Sequence, residues 1–203
     1  FDQPKLDNQR DVVLNERRQS YENQPYGMAD IYVGEALWPA NHGYHWSTIG
    51  YVSDLKAAAK DDVAAFFKKY YVMNNATLVI AGDVDAKEIR PMVEKAYGGI
   101  PAQPAIAAHR VRPQEPVPAA PRTVTLSDPR VEQTSLRRYY LVPSSATAAA
   151  GEGPALDVLA QLMGGGSNSY LYRALVVDRP LATSAGAGYQ GTSLDPSQFS
   201  IAI

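Results

Sequence analysis

Six prolines, at positions 101, 104, 113, 116, 118 and 121, fall within one alanine-rich stretch of the chain. Each holds φ near −65° and removes a backbone donor, so neither a helix nor an interior strand can run through the stretch. It reads as an extended linker, and it divides the chain into residues 1–105, a linker at 106–121 and residues 122–203. The 203 residues, 45% of them hydrophobic, suffice for two modest globular units of that kind.

The first unit opens on DNQRDVVLNERRQSYENQPYG, Asp7 to Gly27. Read as a helix, Gln9, Val12, Val13, Glu16 and Ser20 recur at spacings of three and four, which predicts that Glu16 shares an inward stripe with the two valines. Arg10, Arg17 and Arg18 then face solvent, and Pro25 and Gly27 stop the helix. A carboxylate aimed inward either has a chemical task or pairs with a neighbouring arginine; these residues alone leave both readings open.

A second helix is predicted over 29–38, ended by Pro39, followed by the turn-rich loop ANHGYHWSTIG. His42 and His45 lie in that loop, but two imidazoles in a loop do not converge on a metal by default, and no partner ligand lies nearby in sequence. His109 sits in the linker and has no evident role. Val63, Phe66, Phe67, Tyr70 and Tyr71 predict an amphipathic helix whose aromatic stripe is core, starting near Asp61. ATLVIAGD, Ala76 to Asp83, is an unbroken apolar run of strand length and predicts a strand buried on both faces. Ile89, Met92, Val93, Ala96 and Tyr97 form another helical stripe capped by Asp85 and Glu88, with Pro91 predicting a kink or a later start.

Beyond the linker, Arg122 to Leu126 and Thr134 to Val142 read as strands separated by a turn at Asp128 and Pro129. Pro154 opens a helix with Val158, Leu159, Leu162 and Met163 inward, and Gly164 ends it. The following GGGSNS lacks the lysine and spacing of a phosphate-binding loop, so it reads as a helix stop and a fresh cap at Ser167 or Asn168. Phe199, Ile201 and Ile203 alternate with polar or small residues as a half-buried strand. The fold class is α+β, mainly antiparallel sheet with helices packed on one face.

A formal charge of −2 argues against a nucleic-acid surface, which needs a basic excess. Without cysteine there are no disulfides or thiolate zinc sites, and no apolar run is long enough to span a membrane.

VVLNERRQSYENQPYG resembles the segment that supplies the third zinc ligand in the pitrilysin/insulinase family, which includes the mitochondrial processing peptidases. Those enzymes carry an inverted H-x-x-E-H motif and a later glutamate after a short apolar run, a pattern that falls on Glu16. An acidic residue two turns earlier is common in the family; here that position is Gln9. The family's Tyr, Asn, Leu and Gly-Asp passage is matched by Tyr71, Asn74 or Asn75, Leu78, Gly82 and Asp83, and its S-x-L-Y-x-x-L helix by Ser169, Leu171, Tyr172 and Leu175.

The resemblance implies a fragment of a zinc metalloendopeptidase, carrying Glu16 as a metal ligand and no catalytic residue of its own, since the sequence contains no H-x-x-E-H. In the intact parent, zinc is held by two histidines and Glu16. The implied partners are a peptide substrate, the remainder of the parent chain and a homo- or heterodimeric copy, and family habit suggests the cell envelope. The alternative is a non-catalytic subunit that binds peptide or assembles with an active homologue. Catalytic zinc needs about three protein ligands, so the 203-residue chain equilibrated with zinc and desalted should retain far less than one equivalent. A full equivalent in metal analysis would show that the ligand assignment is wrong.

Overall fold

The computed structural model describes residues 2–103, 113, 114, 116 and 118–203; His109 and most of the proline-rich linker lie outside the described residues. The chain forms two compact units, one of Phe1–Arg18 with Ile49–Val111, the other of Gln19–Thr48 with Arg112–Ile203.

In the first unit, helix α1 runs Gln3–Arg17. Asp2 caps it by accepting a hydrogen bond from Lys5 N at 2.9 Å, and Pro4 occupies the first turn, where a missing N–H leaves nothing unpaired. The face it turns inward is only partly the one predicted above: Val13 is sheltered and Arg18 exposed, but Val12 and Glu16 face out. Leu6, Arg10, Val13, Leu14 and Arg17 are its sheltered positions; Arg17 keeps 7% of its accessibility and Val12 keeps 49%. The reason lies in what that face meets. Arg10 donates from Nε to Leu55 O at 2.8 Å and from Nη2 to Ala58 O at 2.7 Å, both at the end of the short helix α3, Val52–Ala57. Carbonyls at a helix C-terminus lack intrahelical donors and carry its negative pole, so a guanidinium suits them better than a valine does.

Helix α4, Lys60–Tyr70, begins with Asp62 accepting from Ala59 N at 3.0 Å, and α5, Ala86–Tyr97, with Asp85 accepting from Lys87 N at 2.6 Å. α5 starts at its predicted cap and contains Pro91, so there is no later start. The aromatic stripe of α4 is not core. Phe66 packs against Tyr70 and Phe67 stacks on Tyr71, at ring separations of 4.7 and 4.8 Å, yet Phe66, Phe67 and Tyr71 stay exposed.

The buried strand expected at Ala76–Asp83 is likewise absent. Residues 76–80 belong to no ladder, and Val79 is 81% exposed. Burial on both faces requires neighbouring strands and two covering layers, and the described residues of this unit supply none of them.

The second unit holds α2, Gly27–Leu37, and a three-stranded antiparallel sheet in the order β1-β3-β2, with β1 Arg137–Val142, β2 Gly186–Tyr189 and β3 Ser197–Ala202. In register, Tyr140 faces Phe199 and Arg138 faces Ile201; across the other ladder Tyr189 faces Phe199. Phe199 is buried, as the alternation predicted. Arg122 to Leu126, read above as a strand, is exposed and joins no ladder among the described residues. The antiparallel sheet with its helix gives the α+β class expected.

Helix α6, Glu152–Gly164, packs on β2, but its inward positions are Gly153, Leu156, Ala160, Met163 and Gly164, while Val158, Leu159 and Leu162 are exposed. Small residues win because the backbones nearly touch. A Cβ on Gly164 would stand 1.7 Å from Ala187 N and 2.4 Å from Gly186 C. Past α6, the N-cap position falls on Ser169 and not on Ser167 or Asn168 as read above; its hydroxyl donates back to Gly166 O at 2.7 Å, ahead of a turn at Tyr170–Tyr172 that widens into π geometry over Arg173–Val177.

Four long-range contacts fasten the segment around α2 to the rest of this unit. Tyr26 donates to Gln133 O at 2.9 Å, Arg130 to Glu22 O at 3.1 Å and Arg122 to Ala36 O at 2.6 Å, while Arg137 pairs with Asp30 at 3.0 Å.

Gly164→Ala should therefore destabilise the second unit by about 3 kcal/mol or more, because neither backbone can give way; Gly43→Ala, with open space around its Cβ, should stay within about 0.5 kcal/mol. Urea unfolding of both variants makes the comparison, and equal midpoints would refute the close approach. At Asp128, side-chain and backbone hydrogen bonds from Arg130 hold the carboxyl down at about 2. A depressed folded value means that the pair's contribution is complete above the ordinary 3.8 and is lost as pH falls through about 2. Titration followed by NMR should give that value, and Arg130→Gln, which removes the side-chain bonds and keeps the backbone one, should raise it toward the usual carboxylate range.

Candidate functional site

Glu16 stands on the last turn of α1, exposed, beside the buried Arg17. The pairing with a neighbouring arginine that the sequence left open does not form. Arg17 donates from Nη1 to Gly50 O at 2.6 Å, Arg18 donates to Asn15 Oδ1 at 2.7 Å, and among the described residues the Glu16 carboxylate accepts no hydrogen bond and joins no ion pair. Directly after it the backbone leaves α geometry for a π turn over Arg18–Glu22, a local widening that recurs at functional sites.

The histidines of the following loop serve the fold. His42 is 2% exposed; its Nδ1 accepts from Tyr44 N at 3.1 Å, and its ring stacks on Trp38 at 4.6 Å. The bond to Tyr44 N places the proton on Nε2, which has no partner among the described residues, so neither nitrogen offers a lone pair to a metal. His45 bonds Trp38 O through Nδ1 at 2.8 Å, which leaves Nε2 to accept. Among the described residues no three His, Cys, Asp or Glu stand together as a metal site. Glu16 fits zinc as one oxygen donor, free of competing partners, and the described residues do not complete the set.

The second unit contains a cavity of about 590 Å³ between α2 and the sheet, walled by Trp38, Tyr44, Tyr139, Gln190 and Gln198. Asp30 is its one carboxylate, and that group is paired with Arg137. Tyr139 and Asp30 in turn hold the Arg137 guanidinium firmly protonated. Ser193 donates to Ser197 Oγ at 3.2 Å on the cavity wall, with no histidine lining it to act as a base. The cavity can hold a ligand but has no activated nucleophile.

What the sequence reading missed is the role of the arginines. Arg10 and Arg17 lie seven residues apart with Val13 and Leu14 between them, a spacing of two turns that marks one face as plainly as a valine repeat does. Tyr44 was missed too: its hydroxyl accepts from Leu194 N at 3.2 Å and Asp195 N at 3.4 Å, closing the cavity from the loop side.

Known proteins resemble this chain along its length. Residues 57–203 match the family described as the peptidase M16 inactive domain, with Glu16 lying ahead of the matched residues. The chain is 28% identical over 177 residues to "Zinc protease PqqE" of Helicobacter pylori, which covers 87% of this chain and 39% of that protein. A solved protease from Helicobacter pylori superposes on the whole chain with a TM-score of 0.83 at 26% identity, covering 48% of that structure. The peptidase M16 inactive domain from Pseudomonas fluorescens does so with a TM-score of 0.75 at 19% identity, covering 47% of that structure. The chain thus spans less than half the length of each of these relatives. With well over half of its residues matched, and with a fold shared with these structures, the chain belongs to the peptidase M16 inactive-domain family.

Proposed function

We propose that this chain is part of a zinc metalloendopeptidase, a relative of the pitrilysin and insulinase enzymes, in which Glu16 is the third protein ligand of the metal. The observation that carries the reading is the state of that carboxylate: exposed, without a partner among the described residues, and flanked by two arginines, of which Arg17 donates to Gly50 O and Arg18 to Asn15 Oδ1. Leaving a carboxylate free beside two guanidinium groups makes sense when a stronger cation is to occupy it. Bound zinc supplies Lewis acidity and a water of lowered pKa. This chain supplies one oxygen donor and the scaffold that aims it; two imidazoles and a general-base carboxylate come from polypeptide outside this sequence.

The first unit supports the same reading from packing. Leu78, Val79 and Ile80 are exposed and belong to no ladder among the described residues, and Phe66 and Phe67 of α4 are exposed too. Apolar side chains left open in this way support a reading in which the remainder of the parent chain covers them. Residues 1–105 then form the later half of a first peptidase domain, 106–121 a linker, and 122–203 the front of a second, non-catalytic one that helps hold peptide.

A second reading is favoured by one finding. Residues 57–203 match a domain described as inactive, so the parent is alternatively a partner subunit that binds peptide beside an active homologue, as a homo- or heterodimer.

Glu16→Gln in the intact parent separates the two. As a zinc ligand, Glu16 should on replacement cost at least about 100-fold in metal affinity, together with peptide hydrolysis. Unchanged zinc content and unchanged hydrolysis would overturn the ligand role, and a parent without zinc or hydrolysis at the outset would favour the partner subunit.

A further inference from the structure

We infer that Arg17 is the positioning residue for the Glu16 carboxylate: its buried guanidinium sets the rotation of the last turn of α1 about the helix axis. The inference rests on the ligand role proposed for Glu16.

An α-helix advances about 100° per residue. Anchoring position 17 in the interior therefore commits position 16 to a direction a little more than a quarter turn away, which is where Glu16 is exposed. The anchor is specific. A guanidinium with 7% of its accessibility has given up most of its hydration, and it donates to the Gly50 carbonyl at 2.6 Å in a charge-assisted bond. The acceptor is held as firmly as the donor. Gly50 has φ +73°, a left-handed conformation that residues with a side chain rarely adopt, so the direction of that peptide is set by the glycine.

Arg10 shows why the last turn needs its own anchor. It lies two turns earlier on the same face and binds the carbonyls of Leu55 and Ala58, which fixes the middle of α1. Past Arg17 the backbone departs into the π turn at Arg18–Glu22, so the regular helix has no further turn to hold Glu16 in place. The turn bearing the carboxylate is fixed from one side by Val13 and Leu14 and at its end by Arg17. Ligands to a metal are aimed by neighbours of this kind, and losing one typically weakens metal binding on the order of 10- to 100-fold.

The test uses the intact parent protein and zinc ion alone, with affinity read by competition against a chromophoric chelator. Arg17→Gln should weaken zinc binding by roughly 10- to 100-fold. Arg17→Lys keeps the charge but loses the planar fork, and should fall between that variant and the unmodified protein; it also serves if the glutamine variant fails to fold. Arg10→Gln should lower the melting temperature and leave zinc affinity unchanged. Substituted cobalt(II) gives a second readout, since a misaimed carboxylate alters its visible spectrum in the Arg17 variants and not in Arg10→Gln. Unchanged zinc affinity in both Arg17 variants, with affinity lost in Glu16→Gln, would overturn the positioning role while leaving the ligand role intact. Equal losses in Arg10→Gln and Arg17→Gln would overturn it too, as general destabilisation. Zinc held at full strength by Glu16→Gln would remove the ligand reading, and this inference with it.

Discussion

Strand β3 is the element on which the second unit depends. Both of its neighbours pair with it and not with each other, so every ladder hydrogen bond of the sheet passes through Ser197–Ala202. The sheet offers helix α6 a seat shaped by Gly186 and Ala187, and α6 answers with Gly164 where any side chain would collide. Close backbone approach replaces interdigitated side chains at that contact, which is why the bulky residues of α6 are left facing out.

The first unit is held on another principle. Its helices bury little apolar surface, and two guanidinium groups on α1 bind main-chain carbonyls of residues 50–58. Such bonds have direction, whereas apolar burial has none. Arg10 holds the middle of α1, and the directed bond of Arg17 gives the last turn one rotational setting.

Much of this was legible in the residues. Asp85 and the Ile89 to Tyr97 stripe identified α5, the alternation of Phe199 and Ile201 identified β3, and Ser169 to Leu175 marked the turn after α6. Three faces were not legible, each for a physical reason. On α1, hydrophobicity places arginine outside, but an arginine stem is apolar and its head can be satisfied by carbonyls that lie more than thirty residues along the chain. On α6, the pattern of large residues hid a contact made by glycine. For Ala76–Ile80 the composition describes where the segment is suited to lie, while its burial depends on neighbours that no local pattern contains. The free state of Glu16 was beyond reach for the same reason: it follows from where Arg17 and Arg18 spend their hydrogen bonds, which is a property of the fold.

The exposure of Leu78–Ile80 also bears on how this polypeptide behaves as a colloid. An exposed apolar segment outside any ladder, uninterrupted by proline or charge from Ala76 to Ile80, is one onto which other chains can stack. Electrostatic repulsion is the ordinary defence against such stacking, and here it is thin, with a formal charge of −2 and an isoelectric point near 5.9. Covering that segment and holding the pH well above 5.9 should therefore slow association, a handling constraint that originates in three exposed apolar side chains.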